Sequence, residues 1–357
     1  MIGEGIYQAL NKNFNVNFVP PRQNNLSENN KNLITIYADM LWYINQNLYE
    51  SCPETYIKIA YSMFEGSKLP IQWVGALNNF FDAVIVPDKY LVNIYKNSGV
   101  TKPIFVIPMA LADLNSIKIN NKKNNKFTFG IISGLDKRKC IKESIKAFYI
   151  NYANNKNFEL LIYSYWADPE HLKEIKNMIK KLNCNNIVFN HSQKSRSKII
   201  EKYNEFDCFI ACSPGEGFSI TPREALKAQI PVICLNYGVQ KSICDTNHVY
   251  KVTPTKKFDC IIYSYGGYCG QLEYAEAKNI AQAMLEVKKN YNLYKEKAIT
   301  ASKYLKQFSI DTAAEYFKKI ISPEFVLIET EDKFINNGIM TSSEEFANKL
   351  LYIKNIN

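Results

Sequence analysis

Short apolar runs alternate with amphipathic segments along most of this chain, and turn residues separate them. Leu33–Tyr37, Tyr56–Tyr61, Ala83–Val86 and Ile104–Ile107 have the length and β-branched content of buried strands. Between them, Trp73–Asn79 and Lys89–Asn97 carry helical spacing. Asp88 is placed to cap the second helix and Gly99 to end it. The alternation resumes with strand Phe127–Ser133, helix Ile141–Tyr152, strand Phe158–Tyr163, helix Asp168–Lys181, strand Ile187–Phe189 and helix Arg196–Tyr203. Strands alternating with helices predict parallel, doubly wound α/β sheets. The polar run Asn120–Lys126 has no apolar period and reads as an interdomain linker. The expected division is a first α/β domain over 1–119, a linker over 120–126, and a second α/β domain over 127–305. Closing helices (Ala298–Phe308, Asp311–Ile321) and a tail then occupy 306–357. Val16–Val19 reads as a strand, Asn24–Asn32 as a polar loop, Gly266–Gly270 as a glycine-rich loop, Ala275–Tyr291 as an amphipathic segment and Glu344–Ile353 as helical.

Composition narrows the class. At 357 residues the chain is long enough for two domains, and 46% apolar with 22% charged residues is ordinary for a globular protein. No run of apolar residues is long enough to span a bilayer, and the start, with Gly3 and Gly5 close behind Met1, does not read as a secretory signal. The nine cysteines form no CxxC pair, and Cys208 and Cys234 fall in predicted core strands, so a reducing, cytoplasmic setting is expected. The net charge of +10 suits an acidic partner such as a nucleotide diphosphate, and leaves peripheral contact with an anionic membrane open. No basic motif interleaved with aromatics points to nucleic acid.

The densest chemistry lies in Phe206–Ile243. Phe206–Cys212 reads as a buried strand, stopped by Ser213-Pro214-Gly215. Thr221-Pro222 reads as the start of a helix, with Thr as cap and Pro in the first position, and Pro231 as its end. Val232–Leu235 is the following strand. The loop Glu216-Gly217-Phe218-Ser219-Ile220 thus opens onto a helix N-terminus, a natural place for an anion. Glu216 and Glu224 bracket it with seven residues between them. Taken alone, that spacing is also compatible with a plain βαβ unit bearing solvated glutamates.

Together with Gly217-Phe218, Thr221-Pro222, Glu224-Ala225 and the strand after Pro231, the spacing resembles the E-x7-E signature of retaining glycosyltransferases of the GT-B fold, family 4 in particular. The order of Met63-Phe64-Glu65, Leu69-Pro70, Trp73-Val74 and Val84–Pro87 resembles the second half of that family's first domain. The resemblance implies two Rossmann-like domains facing across a cleft, with the first domain here lacking its first strand. It implies a nucleotide diphosphate sugar donor, UDP- or GDP-linked, no further cofactor, and a glycan, lipid-linked or protein acceptor. Glu224 resembles the glutamate that accepts from ribose hydroxyls, and Glu216 the one beside the donor sugar. Gly217, Phe218, Ser219, Ile220 and Thr221 would hold sugar and phosphate. Lys139 matches the family lysine that meets the leaving phosphates; the family arginine falls at Gly134 or, with a shifted loop, at Arg138. Gly3 and Gly5 stand where the family has a donor-side glycine loop. His191, after the strand Ile187–Phe189, is read either as a residue near the base or as a surface-loop histidine. Ser219 and Gln229 stand where glycine is common.

No strand-flanked D-x-D motif is present, so no obligatory metal is expected and the protein's own cations must meet the leaving charge. The family's first-domain histidine has no counterpart among His171, His191 and His248. A nucleotide-sugar or glycan-binding protein of the same form without turnover therefore stands as the alternative. A Rossmann oxidoreductase fits poorly, because Gly3-Glu4-Gly5 has Gln8 at the third glycine position.

Overall fold

The computed structural model describes residues 2–16, 34–38, 57–111, 114–119, 125–192 and 195–321. The expected loop 24–32, nearly all of the strand 16–19, most of the linker 120–126 and the helix 344–353 lie outside them. The chain divides into two compact units. Unit 1 holds Met1–Ala112, Asp259–Gly270 and Gln307–Asn357; unit 2 holds Asp113–Phe258 and Gln271–Lys306. The segment Asp259–Gly270, expected within the second domain, belongs to unit 1.

Unit 1 contains α1 (Ile2–Leu10), β1 (Ile34–Tyr37), β2 (Ile57–Tyr61), α2 (Ile71–Phe80), β3 (Ala83–Val86), α3 (Lys89–Asn97) and β4 (Ile104–Val106). Among the described residues its sheet is four parallel strands in the order β1-β2-β3-β4. The Asp88 carboxylate accepts from Tyr90 N at 2.9 Å and caps α3 as its position predicts. Gly3 and Gly5 lie inside α1, not in a loop before it. A Cβ on Gly5 would stand 2.3 Å from the Ala110 carbonyl oxygen, so its bare Cα lets the helix pack against the 107–111 segment.

Unit 2 contains β5 (Phe127–Ile132), α4 (Ile141–Tyr152), β6 (Phe158–Ser164), α5 (Pro169–Leu182), β7 (Ile187–His191), α6 (Arg196–Glu201), β8 (Cys208–Ala211), α7 (Ile220–Lys227), β9 (Val232–Leu235), α8 (Lys241–Cys244) and β10 (Tyr250–Val252). Its described sheet has six parallel strands in the order β10-β9-β8-β5-β6-β7. The order reverses beside β5, the first strand of unit 2 and the third from the β7 edge. Ligands of open α/β sheets gather at such a switch point, outside the strands' carboxyl ends. Apolar residues of β5, β6, β8 and β9 pack with α4 and α9 (Ala277–Lys289) into one core. The Gly130 Cα lies against the Phe206 ring: a Cβ there would come 2.2 Å from it.

Between β10 and α9 the chain forms a two-stranded hairpin, β11 (Lys256–Ile262) and β12 (Gly267–Tyr274). Sequence reading gives only a glycine-rich loop here. The hairpin's end belongs to unit 1, where Ser67 N and Lys68 N both donate to Cys269 O, and Tyr265 packs on Trp73 with ring centroids 4.9 Å apart. The chain continues through α10 (Tyr291–Thr300), α11 (Ser302–Leu305) and α12 (Ile310–Ile321). In unit 1, α12 buries Ala313, Ala314 and Phe317 in the same core as Ile6, Ala9 and Leu10 of α1.

Candidate functional site

Strand β8 runs out at Ala211, and the chain crosses the carboxyl edge of the sheet before α7 begins. The helix starts two residues earlier than Thr221-Pro222 predicts. Ser219 takes left-handed backbone (φ 63°) and is the N-cap, so Ile220 is the first helical residue. Pro222 then occupies the third position, still within the first turn, where no intrahelical N–H partner is needed. Arg223, fully buried, holds this turn from behind. It donates to the carbonyls of Phe218 and, at 2.8 Å, Ser219, and its guanidinium lies 4.1 Å from the Phe218 ring centroid. Gln240 Nε2 donates to Ser219 Oγ at 3.0 Å. At the other end Gln229 is left-handed (φ 59°), the conformation that makes glycine common there.

Two cations reach this loop from β5. After Ile132 the chain forms a short 3-10 turn at Lys137–Lys139. Arg138 donates to the Gly215 carbonyl and pairs with Asp136 at 3.2 Å. Lys139 Nζ lies 3.3 Å from the same carbonyl and 2.7 Å from Glu216 Oε1. Both ends of the Lys139–Glu216 pair are largely covered. Burial and the neighbouring Arg138 push the Lys139 ammonium below the ordinary lysine range, and Glu216 offsets only part of this. Burial acts to raise the Glu216 carboxyl, but Lys139, Arg138 and the Ser213 hydroxyl outweigh it, so the net shift is downward and Glu216 is ionised. Of the two expected positions for the arginine, Arg138 is the one that carries charge to the loop.

Glu224 projects from α7 and is 1% exposed. A buried carboxylate needs partners on both oxygens. Arg196, from α6, donates to Oε1, and the Tyr203 hydroxyl donates to Oε2 at 2.6 Å. Burial, with the adjacent Glu224 carboxylate, pushes the Tyr203 phenol far up, so it remains a donor. Tyr165, just past β6, is held up by desolvation of its hydroxyl end and by Glu216, with Arg138 opposing and Glu224 adding a smaller push. Its neighbour Trp166 is 53% exposed. Arg196, Tyr203, Arg223 and Tyr165 all escape sequence reading. The only signal for the first two is that a buried Glu224 requires a cation and a donor from elsewhere in the fold.

The structure therefore brings Arg138, Lys139, Glu216, Gly217, Phe218, Ser219, Ile220, Thr221 and Glu224 to one edge of the unit 2 sheet. His191 ends β7, two strands from β5. It is exposed, and its Nδ1 lies 3.2 Å from Ser164 Oγ. Gly3 and Gly5 belong to unit 1. Among the described residues no group of three or more His, Cys, Asp or Glu is placed to hold a metal, and no helix is long and apolar enough to cross a membrane.

Residues 113–256 match the family model "Glycosyl transferases group 1". No curated protein sequence matches the chain. Among solved structures, the pneumococcal O-GlcNAc transferase GtfA, determined with UDP and GlcNAc, is similar over 81% of this chain and 56% of its own, with 16% identity and a TM-score of 0.61. TarM of S. aureus is similar over 81% of this chain and 54% of its own, with 16% identity and a TM-score of 0.62. Anabaena Alr3699/HepE, determined with UDP and glucose, is similar over 74% of this chain and 71% of its own, with 14% identity and a TM-score of 0.58. The chain thus spans about half the length of GtfA and TarM. In fold it is an α/β protein of the GT-B type with Rossmann-like units, and over residues 113–256 it is similar in sequence to group 1 glycosyl transferases.

Proposed function

We propose that this protein is a retaining, metal-independent glycosyltransferase. It moves a sugar from a nucleotide diphosphate sugar, UDP- or GDP-linked, to an acceptor hydroxyl on a glycan, a lipid-linked saccharide or a protein. One observation carries the reading: Lys139 and Arg138 converge on Gly215-Glu216 at the switch point of the sheet, beside the N-terminus of α7. A departing nucleoside diphosphate gains negative charge as the glycosidic bond breaks. Two fixed cations and the backbone N–H groups of Ile220 and Thr221 at the start of α7 offset that charge without reorganising, and this is the metal-independent part of the reading. Glu216 accepts from donor-sugar hydroxyls, and Glu224 from the ribose. Retention rests on the family resemblance. Similar structures were determined with UDP bound, which supports a nucleotide-linked donor. A cytoplasmic setting accords with the free thiols of the eight described cysteines.

The test is a panel of UDP-, GDP- and ADP-sugars, with binding, donor hydrolysis and transfer measured with and without chelator. Turnover that survives chelation is expected. Loss of turnover on chelation would remove the metal-free claim. Binding without hydrolysis or transfer would favour the non-catalytic alternative. Glu224→Ala is expected to weaken donor binding about tenfold or more, because it deletes charged hydrogen bonds; unchanged affinity would reject its ribose role.

A further inference from the structure

Glu224 is not an isolated acceptor. Its side chain is 1% exposed, yet both oxygens are engaged before any ligand is considered: Arg196 on Oε1 and Tyr203 on Oε2. The two partners differ in character. Tyr203 is fully buried, packed among Phe206 and Phe209, and belongs to the core. Arg196 stands at the first position of α6, and its side chain is 25% exposed. Its guanidinium therefore joins a buried carboxylate to the open edge of the sheet. Arg138 and Lys139 are occupied with the Gly215-Glu216 side of the loop, and Arg223 with the carbonyls of Phe218 and Ser219. Arg196 is the cation bonded to Glu224.

A carboxylate offers about four lone-pair sites. Tyr203 and Arg196 each take one and leave one on each oxygen. Because the partners lie on different oxygens, they fix the plane of the group, and with it the directions of the two remaining sites. Two remaining acceptors on one rigid carboxylate match two adjacent hydroxyls, the arrangement of a ribose 2′,3′-diol. We propose that Arg196 is a positioning residue for donor recognition: it holds the Glu224 carboxylate oriented so that it reads the ribose diol and discriminates against deoxyribose. This rests on the reading of the protein as a nucleotide-sugar enzyme.

UDP, GDP and ADP are titrated calorimetrically against the full chain, each beside its 2′-deoxy counterpart. Wild type is expected to prefer the ribonucleotide of at least one pair by about tenfold. Arg196→Met is expected to weaken that ribonucleotide about tenfold while leaving the deoxy form nearly unchanged, so that the preference falls below about threefold. Arg196→Lys restores a cation without the planar fork and is expected to recover part of the preference. A merely structural role would weaken both forms equally, and that result overturns the proposal. So does an undiminished preference in Arg196→Met or, should that variant not fold, in Arg196→Lys. If wild type binds none of the three nucleotides, the nucleotide-sugar reading falls and takes this proposal with it. If wild type binds with preference and the variants keep it, only the role of Arg196 falls.

Discussion

Gly130 offers a test of how the sheet supports the site. It sits in β5, and the Phe206 ring lies across it. A Cβ at this position would come within 2.2, 2.3 and 2.5 Å of three carbons of that ring. Ordinary carbon contacts are about 3.5–4.0 Å, so the ring would have to retreat by roughly 1 Å or more. It is fully buried and has little room to do so. Phe209 lies 6.1 Å from it between ring centroids, and Tyr163 and Tyr203 each lie 6.2 Å away. Overpacking by one methyl costs about 1–3 kcal/mol, and the depth of this clash puts Gly130→Ala near the upper figure, about 3 kcal/mol. Phe206→Ala alone should cost about 3–5 kcal/mol through the cavity it leaves. In the double variant the new methyl projects into the vacated space. The pair should then be less destabilised than the sum of the singles by about 2 kcal/mol, where independent sites add within about 0.5 kcal/mol. Urea unfolding gives the global values. Hydrogen exchange of peptides covering β5 and β8 assigns the loss to unit 2. Additivity within about 0.5 kcal/mol, or a neutral Gly130→Ala, would refute the reasoning. The displaced ring would also press on Tyr203, the donor to Glu224, so this core defect should reach the ligand edge.

Further outcomes follow from the loop and from the end of α7. Lys139 is held below the ordinary lysine range, so binding of the proposed nucleotide donor should fall at alkaline pH earlier than an exposed lysine would allow. Glu216 opposes that depression, so Glu216→Gln should move the alkaline limb to still lower pH in a profile of nucleotide affinity; an upward move would contradict the pairing. Gln229 pays for a left-handed backbone, and Gln229→Gly should raise the thermal midpoint, with a gain of about 0.5–1 kcal/mol; destabilisation would show that its side chain matters more than its φ.

Much of unit 2 is legible because parallel strands buried on both faces are written as continuous apolar runs, as in Phe127–Ile132 and Val232–Leu235. The placement of Glu216 and Lys139 at one sheet edge is legible because short loops tie them to strand ends, and Glu224 follows within the first turns of α7. What escapes is of two kinds. The start of α7 depends on a serine in left-handed backbone, and residue type alone does not announce that conformation. The partners of Glu224 lie far upstream in sequence, Arg196 by 28 residues and Tyr203 by 21, and only the sheet order brings them back. The β11–β12 hairpin carried a signal that its glycines masked: Phe258, Cys260 and Ile262 alternate with the more exposed Lys257, Asp259 and Ile261. In α1 the error runs the other way, since Gly3 and Gly5 suggest a loop where close packing needs a helix without a side chain.

The packing of α1 on α12 has a consequence for biogenesis. Asn13, just past α1, donates to the Ala314 carbonyl across 301 residues of chain. At a synthesis rate of about 5–20 residues per second, the first helix waits roughly 15–60 s for its partner. All of unit 2 emerges during that interval. Unit 1, which holds both helices, is thus the last to close. Until α12 arrives, the faces of Ile6, Ala9 and Leu10 that it covers stay open to chaperones, which should therefore act on unit 1 later and longer than on unit 2.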